Sequence, residues 1–572
     1  MEIGLNTLLQ QVSDRCPTQC VDDRIATAAD LLEQLAANCH DIEPLIPTLS
    51  SQLRSPETNG KGARRRVGAF YTPHDLVAFC LTQSLDIWLD GSTNDPSPIV
   101  LDPACGTGRF LLAAGQRLVD RYTRDHHCSD TKAWRHIAPN LRGFDIDPIP
   151  TAWLRGRLTS LAGGDTHAAS GIRTCDALNS DALTATKADV IVGNPPFGTP
   201  LRKLTDAESI RKRAAAIVGS PIGPYADMAA IFLLLSTRSL RPQGRLALVQ
   251  PLSVLAARDT GPIRDCILDQ HTLETAWASP ETVFDAQVHT CVLAISNTPT
   301  TSKHVGRYGG LPAKKLSRVA QPTPGASWSP LVTAAMGIPN LPKFQSQGTL
   351  NDIAAATADF RDQFYGLRGA IVEVDEHCHD NQAPILTTAL LDPARCRWGT
   401  RPCRLHGHTW TQPAIDLNLL GTRMKQWARS RLVPKVLLPT QTRVLEPVLD
   451  ERGQWLPSVP IITITAKNTE PSNIGALLAC PLISLLAMHR YLGTARTPHA
   501  IKLAARDVLQ FPCPVDIEAW HAAGHAFQKA QCHDGDPALL GTCARHMLAA
   551  FKIAPQEAAT LLTWWKDRLP SR

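Results

Sequence analysis

Apolar and polar positions recur along this chain in two rhythms. Residues 1–66 carry Leu31, Leu32, Leu35 and Leu45 at helical spacing, which predicts a small helical N-terminal cap. From residue 99 onward, short apolar runs alternate with longer helical patterns. Ile99-Val100-Leu101 reads as a buried strand, Val190-Ile191-Val192 as a β-branched apolar one, and Leu141-Arg142-Gly143-Phe144 and Arg173-Thr174-Cys175 as two further strands; strands alternating with helical segments predict a parallel α/β sheet. A long apolar helix is expected from Asp227 to Leu240, and a further core strand over Gly244–Pro251.

The pattern loosens after residue 298. Pro-Thr-Thr-Ser, Gly-Gly-Leu-Pro and Gln-Pro-Thr-Pro-Gly make 299–345 a predicted linker. Strand-like runs at Ala370–Val374, Pro434–Pro439 and Val459–Thr465 give 346–515 a mixed α/β character, and 516–572 reads as helices. The expected domains are therefore 1–66, 67–298, the linker 299–345, 346–515 and 516–572.

Composition changes this picture only locally. A chain of 572 residues accommodates two or three domains. With 44% hydrophobic and 19% charged residues it is globular and not disordered. The formal charge of +6 is mild for this length, but its distribution is uneven. Between Leu391 and Arg443 ten Lys or Arg residues face two acids, Asp392 and Asp416. Arg423, Lys425, Arg429, Arg431, Lys435 and Arg443 belong to that stretch, a candidate footprint for phosphates or simply a solvated basic face. Lys61 and Arg64–Arg66 form a second basic cluster, and Arg202, Lys203, Arg211, Lys212 and Arg213 a third. Sixteen cysteines without a secretory signal predict free thiols. No apolar run has membrane length, so no membrane contact and a cytoplasmic location are expected. His377, Cys378, His379, Cys396, Cys403, His406 and His408 hold zinc-type ligand atoms but lack paired short Cys-x-x-Cys spacing, so no metal site is assigned.

Chemistry concentrates where the strand candidates end. Asp102, Asp145, Asp176 and Asn194 follow four successive strands, at the edge where open α/β sheets bind ligands. Each acid alone reads equally well as a helix N-cap; four in register favour a site. Asn194-Pro195-Pro196-Phe197 presents the Asn194 side-chain oxygen, the Pro195 carbonyl and an aromatic ring, on a backbone restricted by consecutive prolines. Two acceptors and a ring face suit a planar base with an exocyclic amine; the alternative is a Pro-rich turn with a capping Asn and a core Phe. Asp102-Pro-Ala104-Cys105-Gly106-Thr-Gly108 supplies a glycine turn but lacks the third glycine of the dinucleotide fingerprint.

Taken together these motifs resemble the S-adenosylmethionine-dependent adenine-N6 methyltransferases of DNA, the Asn-Pro-Pro-Phe family. Gly68-Ala-Phe-Tyr71-Thr72-Pro73-His74 is similar to the motif preceding the cofactor domain in type I modification subunits and single-chain type II methylases. The resemblance implies a Rossmann-like methyltransferase sheet with helices on both faces, an N-terminal helical cap and a C-terminal target-recognition region. It implies that Tyr71, Thr72, Asp102, Ala104, Gly106, Gly108 and Asn194 contact or shape the methionine end of S-adenosylmethionine. Asp145 would hold the ribose hydroxyls, Ile146 would pack on the cofactor adenine, and Asp176 would accept from its amino group. Asn194, Pro195 and Pro196 would hold the target amine. Phe197 would stack on a flipped base, with Phe284, in Val283-Phe-Asp-Ala-Gln-Val288, on its other face or simply in the core. Implied partners are double-stranded DNA and restriction or phage-defence proteins. Methylation of a protein glutamine or of RNA, or a non-catalytic DNA-binding subunit, are the competing readings.

Overall fold

The computed structural model of this chain describes residues 4–16, 20–37, 40–54, 72–91, 97–198, 206–284, 288–298, 302–359, 361–374, 378–495, 497 and 499–570. Two compact units are present, Met1–Met336 and Gly337–Arg572.

The first unit is built on a nine-stranded sheet. Its strands are β1 (Val100–Asp102), β2 (Leu141–Asp145), β3 (Ile172–Thr174), β4 (Ala188–Gly193), β5 (Leu240–Pro251), β6 (Thr272–Ala278), β7 (Thr290–Ser296), β8 (His304–Gly309) and β9 (Lys314–Ala320). They lie in the order β3-β2-β1-β4-β5-β7-β6-β8-β9. The first five are parallel to one another, and β7 runs antiparallel between β5 and β6. Val100, Leu101, Val190, Ile191 and Val192 are fully buried, as expected for parallel strands covered on both faces. Strand order reverses between β1 and β4, which places the topological switch point, and with it the ligand crevice, between their carboxyl ends. The doubly wound sheet expected from the sequence is therefore the observed one.

Helices follow each of the five parallel strands. After β1, α1 (Arg109–His126) starts at Gly108, which has φ 87° and would bring a Cβ within 2.2 Å of Leu154; only glycine fits there. After β2, α2 (Pro148–Leu161) opens with Pro148 at its first turn and the Asp147 carboxylate accepting from Ile149 N at 3.1 Å, a cap and starter pair. The N-terminal helices Leu5–Arg15, Val21–Leu35 and Ile46–Arg54 pack Leu8, Ile25, Leu32 and Leu49 against Ile149 and Trp153 of α2. A Cβ on Gly156 would meet the Glu33 carbonyl at 2.3 Å, so that approach is as close as two helices allow.

The expected linker 299–345 is corrected. β8 and β9 extend the main sheet, β8 parallel to β6 and β9 antiparallel to β8. Both alternate exposed and more buried residues and β9 is an edge strand, so no continuous apolar run marks them.

The second unit contains two four-stranded sheets. One is antiparallel, formed by Ala354–Ala358, Ile461–Ala466, Lys435–Pro439 and Val448–Asp450; the other combines Ile371–Glu373, Pro413–Asp416, Gln382–Leu386 and Leu456–Pro457. Helices Pro471–Ala479, Pro481–Tyr491, Ile517–Cys532, Pro537–Ala550 and Pro555–Lys566 complete it. Among the described residues no single helix is long and apolar enough to cross a membrane.

Candidate active site

At the carboxyl edge of β1, β2 and β4 lies a cavity of about 470 Å³. Thr72, Asp102, Ala104, Gly106, Asp145, Ile146, Asp176, Asn194 and Pro196 all line it. The chain thus converges residues separated by more than a hundred positions: Thr72 precedes the helix His74–Leu81, and the others follow or end strands at the same edge of one sheet. Gly108, Pro195, Phe197 and Phe284 are not on the cavity wall. Tyr71, Arg202 and Lys203 lie outside the described residues, as do Lys61, Arg64–Arg66 and His377.

The acids hold the loop as well as face the cavity. Asp102 Oδ1 accepts from Ala104 N at 3.0 Å. Asp145 spans two loops, with Oδ2 accepting from Gly106 N and Oδ1 from Asp147 N, each at 2.9 Å. Asp176 accepts from the backbone of Leu178 and Asn179 at 2.9 and 3.2 Å, and from Asn179 Nδ2 at 2.9 Å. A carboxylate oxygen has two lone pairs, so these bonds leave acceptor capacity. Burial pushes the Asp102 carboxyl up to about 8, against the lowering effect of the Ala104 N–H and with help from nearby Asp145. The Asp145 carboxyl is pushed up to about 6, again chiefly by burial. Such a pair favours a ligand carrying positive charge and hydroxyl or amine donors. Ile146, 69% exposed, offers a flat apolar face beside them.

Asn194 is the other pole. Its Nδ2 donates to Thr72 Oγ1 at 3.1 Å, while its Oδ1 is buried and has no hydrogen-bond partner among the described residues. A buried acceptor left unpaired costs about 1–3 kcal/mol, and a donor supplied by a ligand would recover that cost. The turn that follows is pinned by Asp227, whose Oδ2 accepts from Gly198 N at 2.9 Å and whose Oδ1 caps its helix through Ala229 N at 3.0 Å. Asp227 thus serves the Asn194–Gly198 turn and its own helix at once.

Phe197 and Phe284 meet each other, ring centroids 6.2 Å apart and planes at 60°. A base held between two rings needs them parallel and roughly 7–8 Å apart, two van der Waals spacings. The two rings pack edge to face and not as parallel plates.

The motifs gave no warning of Glu43, Thr107 and Arg109, which also line the cavity. Glu43 Oε1 accepts from Thr107 Oγ1 at 2.9 Å and from Arg109 Nε at 3.2 Å. Glu43 comes from the N-terminal helical region, and nothing local in its sequence marks it.

Two basic candidates in the second unit are corrected. Lys435 is fully buried and paired with Asp450, a position fixed by its strand between two others. Arg431 NH2 lies 2.9 Å from Asp359 Oδ1, which also accepts from Trp427 Nε1 at 2.9 Å. Both charges are used inside the fold. Arg423, Arg429 and Arg443 are exposed and Lys425 half-buried. Arg213 similarly bonds the Leu178 and Ser180 carbonyls and Asp181. Among the described residues no three His, Cys, Asp or Glu side chains are grouped to hold a metal.

Comparison with known proteins agrees with this geometry. Residues 57–307 match the family model described as N-6 DNA Methylase. Type II methyltransferase M.VspI of Vibrio sp. (strain 343) is 29% identical over 221 residues, which is 36% of this chain and 45% of that protein. The methylase subunit of type I restriction enzyme StySJI, from Salmonella typhimurium, is 26% identical over 258 residues, 43% of this chain and 44% of that protein. The chain thus spans less than half the length of the relatives it matches. The solved Type IIL restriction-modification enzyme MmeI, in complex with DNA, superposes with TM-score 0.59 over 91% of this chain and 81% of its own, at 13% identity. The Type ISP restriction-modification enzyme LlaGI, as a nuclease-deletion mutant with a DNA substrate mimic, gives TM-score 0.52 over 92% of this chain and 54% of its own, at 10% identity. At such identities the likeness establishes the fold of the chain. The likeness to the N-6 DNA Methylase family spans residues 57–307, less than half of the chain.

Proposed function

We propose that this chain binds S-adenosylmethionine in the cavity at the sheet edge and methylates N6 of an adenine swung out of duplex DNA. The observation that carries the proposal is the Asn194 amide, its NH2 engaged by Thr72 and its Oδ1 buried without a partner at the cavity wall. An acceptor so placed suits an amine hydrogen. S-adenosylmethionine supplies a methyl group already activated on a sulfonium.

Adenine's amine is a poor nucleophile because its lone pair is delocalised into the ring. Asn194 Oδ1 and the Pro195 carbonyl accept its two hydrogens, which favours a pyramidal nitrogen and stabilises the positive charge as the new N–C bond forms. One of those hydrogens then leaves as a proton. Much of the remaining acceleration comes from holding amine and methyl in line. No enzyme nucleophile is needed, and Cys105, buried with its thiol pushed well up by that burial, is a packing residue.

Asp145 takes the ribose hydroxyls, Asp176 the cofactor's adenine amine and Ile146 its ring face. Asp102, with the turn Ala104–Gly108, faces the charged methionine end. A flipped base costs a few kcal/mol to extrude; it replaces the edge packing between Phe197 and Phe284, and stacking returns roughly 1–3 kcal/mol per ring. Arg423, Lys425, Arg429 and Arg443 contact phosphates. DNA as partner is supported by the DNA held by the structural relative MmeI. Restriction or defence proteins are the expected context, as the relatives' names indicate.

The test is label transfer from S-adenosylmethionine to mixed-sequence duplex DNA, RNA and whole-cell protein offered side by side. Label should enter DNA, and Asn194→Ala should slow it by about 10²–10³-fold, as removing one hydrogen bond to a transition state does. Label entering RNA or protein instead would contradict the proposal.

A further inference from the structure

The Asn194 amide embodies a choice its backbone does not make. Either its oxygen or its NH2 can face a substrate, and only the oxygen can take a hydrogen from an amine. In the structure Nδ2 donates to Thr72 Oγ1 at 3.1 Å, and Thr72 is buried at 4% exposure. Thr72 is itself held. Its carbonyl accepts from Arg109 NH1 at 3.0 Å, and Arg109 Nε is paired at 3.2 Å with Glu43, which also accepts from Thr107. Three distant segments are joined there: the N-terminal helical region, the Thr72-Pro73 turn and the first turn of α1.

We infer that Thr72 is a positioning residue that holds the Asn194 amide with Oδ1 toward the reacting amine, and that the Glu43–Arg109 pair holds Thr72 in place. The inference rests on the proposed methyl transfer and adds to it a role for the N-terminal helices. A hydroxyl has one hydrogen and two lone pairs. By accepting from Nδ2, Thr72 keeps its hydrogen for another acceptor facing the cavity. A cofactor acceptor at that point excludes the reversed amide, in which Thr72 donates to Oδ1 and NH2 confronts the substrate amine. The cofactor pocket and the target site thereby share one hydrogen-bond chain.

The full chain labelled with ¹⁵N-asparagine tests this, the Asn194 side-chain resonance being assigned by its loss in Asn194→Ala. Thr72→Val should speed hydrogen exchange at that amide by about tenfold, the worth of one hydrogen bond, and Thr72→Ser should recover most of the protection. Glu43→Gln, which leaves Thr72 intact, should give a smaller change in the same direction and serves if Thr72→Val does not fold. In methyl transfer at saturating S-adenosylmethionine, Thr72→Val should lower kcat by about tenfold, over and above any rise in the Kd for S-adenosylmethionine from the lost Thr72 hydrogen bond. Unchanged exchange in both Thr72→Val and Glu43→Gln would overturn the inference. So would a raised Kd with kcat unchanged at saturating S-adenosylmethionine, since Thr72 would then be a cofactor ligand only. If the wild-type chain transfers no methyl to DNA, the proposed function fails, and the exchange comparison still decides what Thr72 does to Asn194.

Discussion

Asp102 shows how the cavity is tuned by single groups. Its carboxyl, pushed up to about 8 by burial, is largely protonated at neutral pH in the ligand-free protein. A positively charged ligand favours the ionised form, so binding below that value releases a proton. Affinity for S-adenosylmethionine should therefore rise with pH and level off above about 8, measured by calorimetry in buffers of different ionisation enthalpy. Asp102→Asn should weaken binding and flatten the dependence. Stability of the ligand-free protein has the opposite sign: a folded value raised above the unfolded one, about 3.9, gives a contribution present at low pH and lost as pH rises through about 8. Asp102, Asp145, Asp176 and Asn194 are legible in the chain because each ends or closely follows a strand of the same sheet. Glu43 is not, since only tertiary packing brings its helix to Thr107 and Arg109. Lys435 and Arg431 mislead for the converse reason: charge density along a sequence does not reveal that Asp450 and Asp359 lie opposite.

Strands and helices carry the same lesson in their hydrophobic patterns. The central parallel strands β1 and β4 are nearly continuous apolar runs and are recognisable as such; β8 and β9, amphipathic at the sheet margin, are hidden among Pro- and Gly-rich turns. The helix Met228–Ser239 follows β4 in the crossover to β5, and its cap Asp227 ties the Asn194–Gly198 turn to it. Asp227→Ala removes both bonds. It should destabilise the protein by about 0.5–2 kcal/mol, the usual worth of an N-cap, in urea unfolding. The same variant should slow methyl transfer, because the turn bearing Asn194 loses its anchor. Asp227→Asn, which keeps an acceptor for the helix, should lose less stability. Equal losses in the two variants would mean that the carboxylate, not the cap geometry, matters there.

Across the molecule the net charge of +6 is modest, so the proposed binding of DNA would depend on where the cations sit. Arg423, Lys425 and Arg429 share the helix Thr422–Arg431 in the second unit. Replacing all three by alanine should weaken duplex binding and flatten the dependence of log K on log salt by up to about 0.9 for each phosphate no longer neutralised. An unchanged slope would show that this helix does not touch DNA. The proposed reaction is defined by the atom that is modified, and the nucleosides themselves report it. Purified chain would be incubated with isotopically labelled S-adenosylmethionine and mixed-sequence duplex DNA, which is then digested and its nucleosides identified by mass. Labelled N6-methyladenine, absent when Asn194→Ala replaces the wild-type chain, is the predicted result. Labelled methylcytosine, or label at the same level in the Asn194→Ala reaction, would contradict the account.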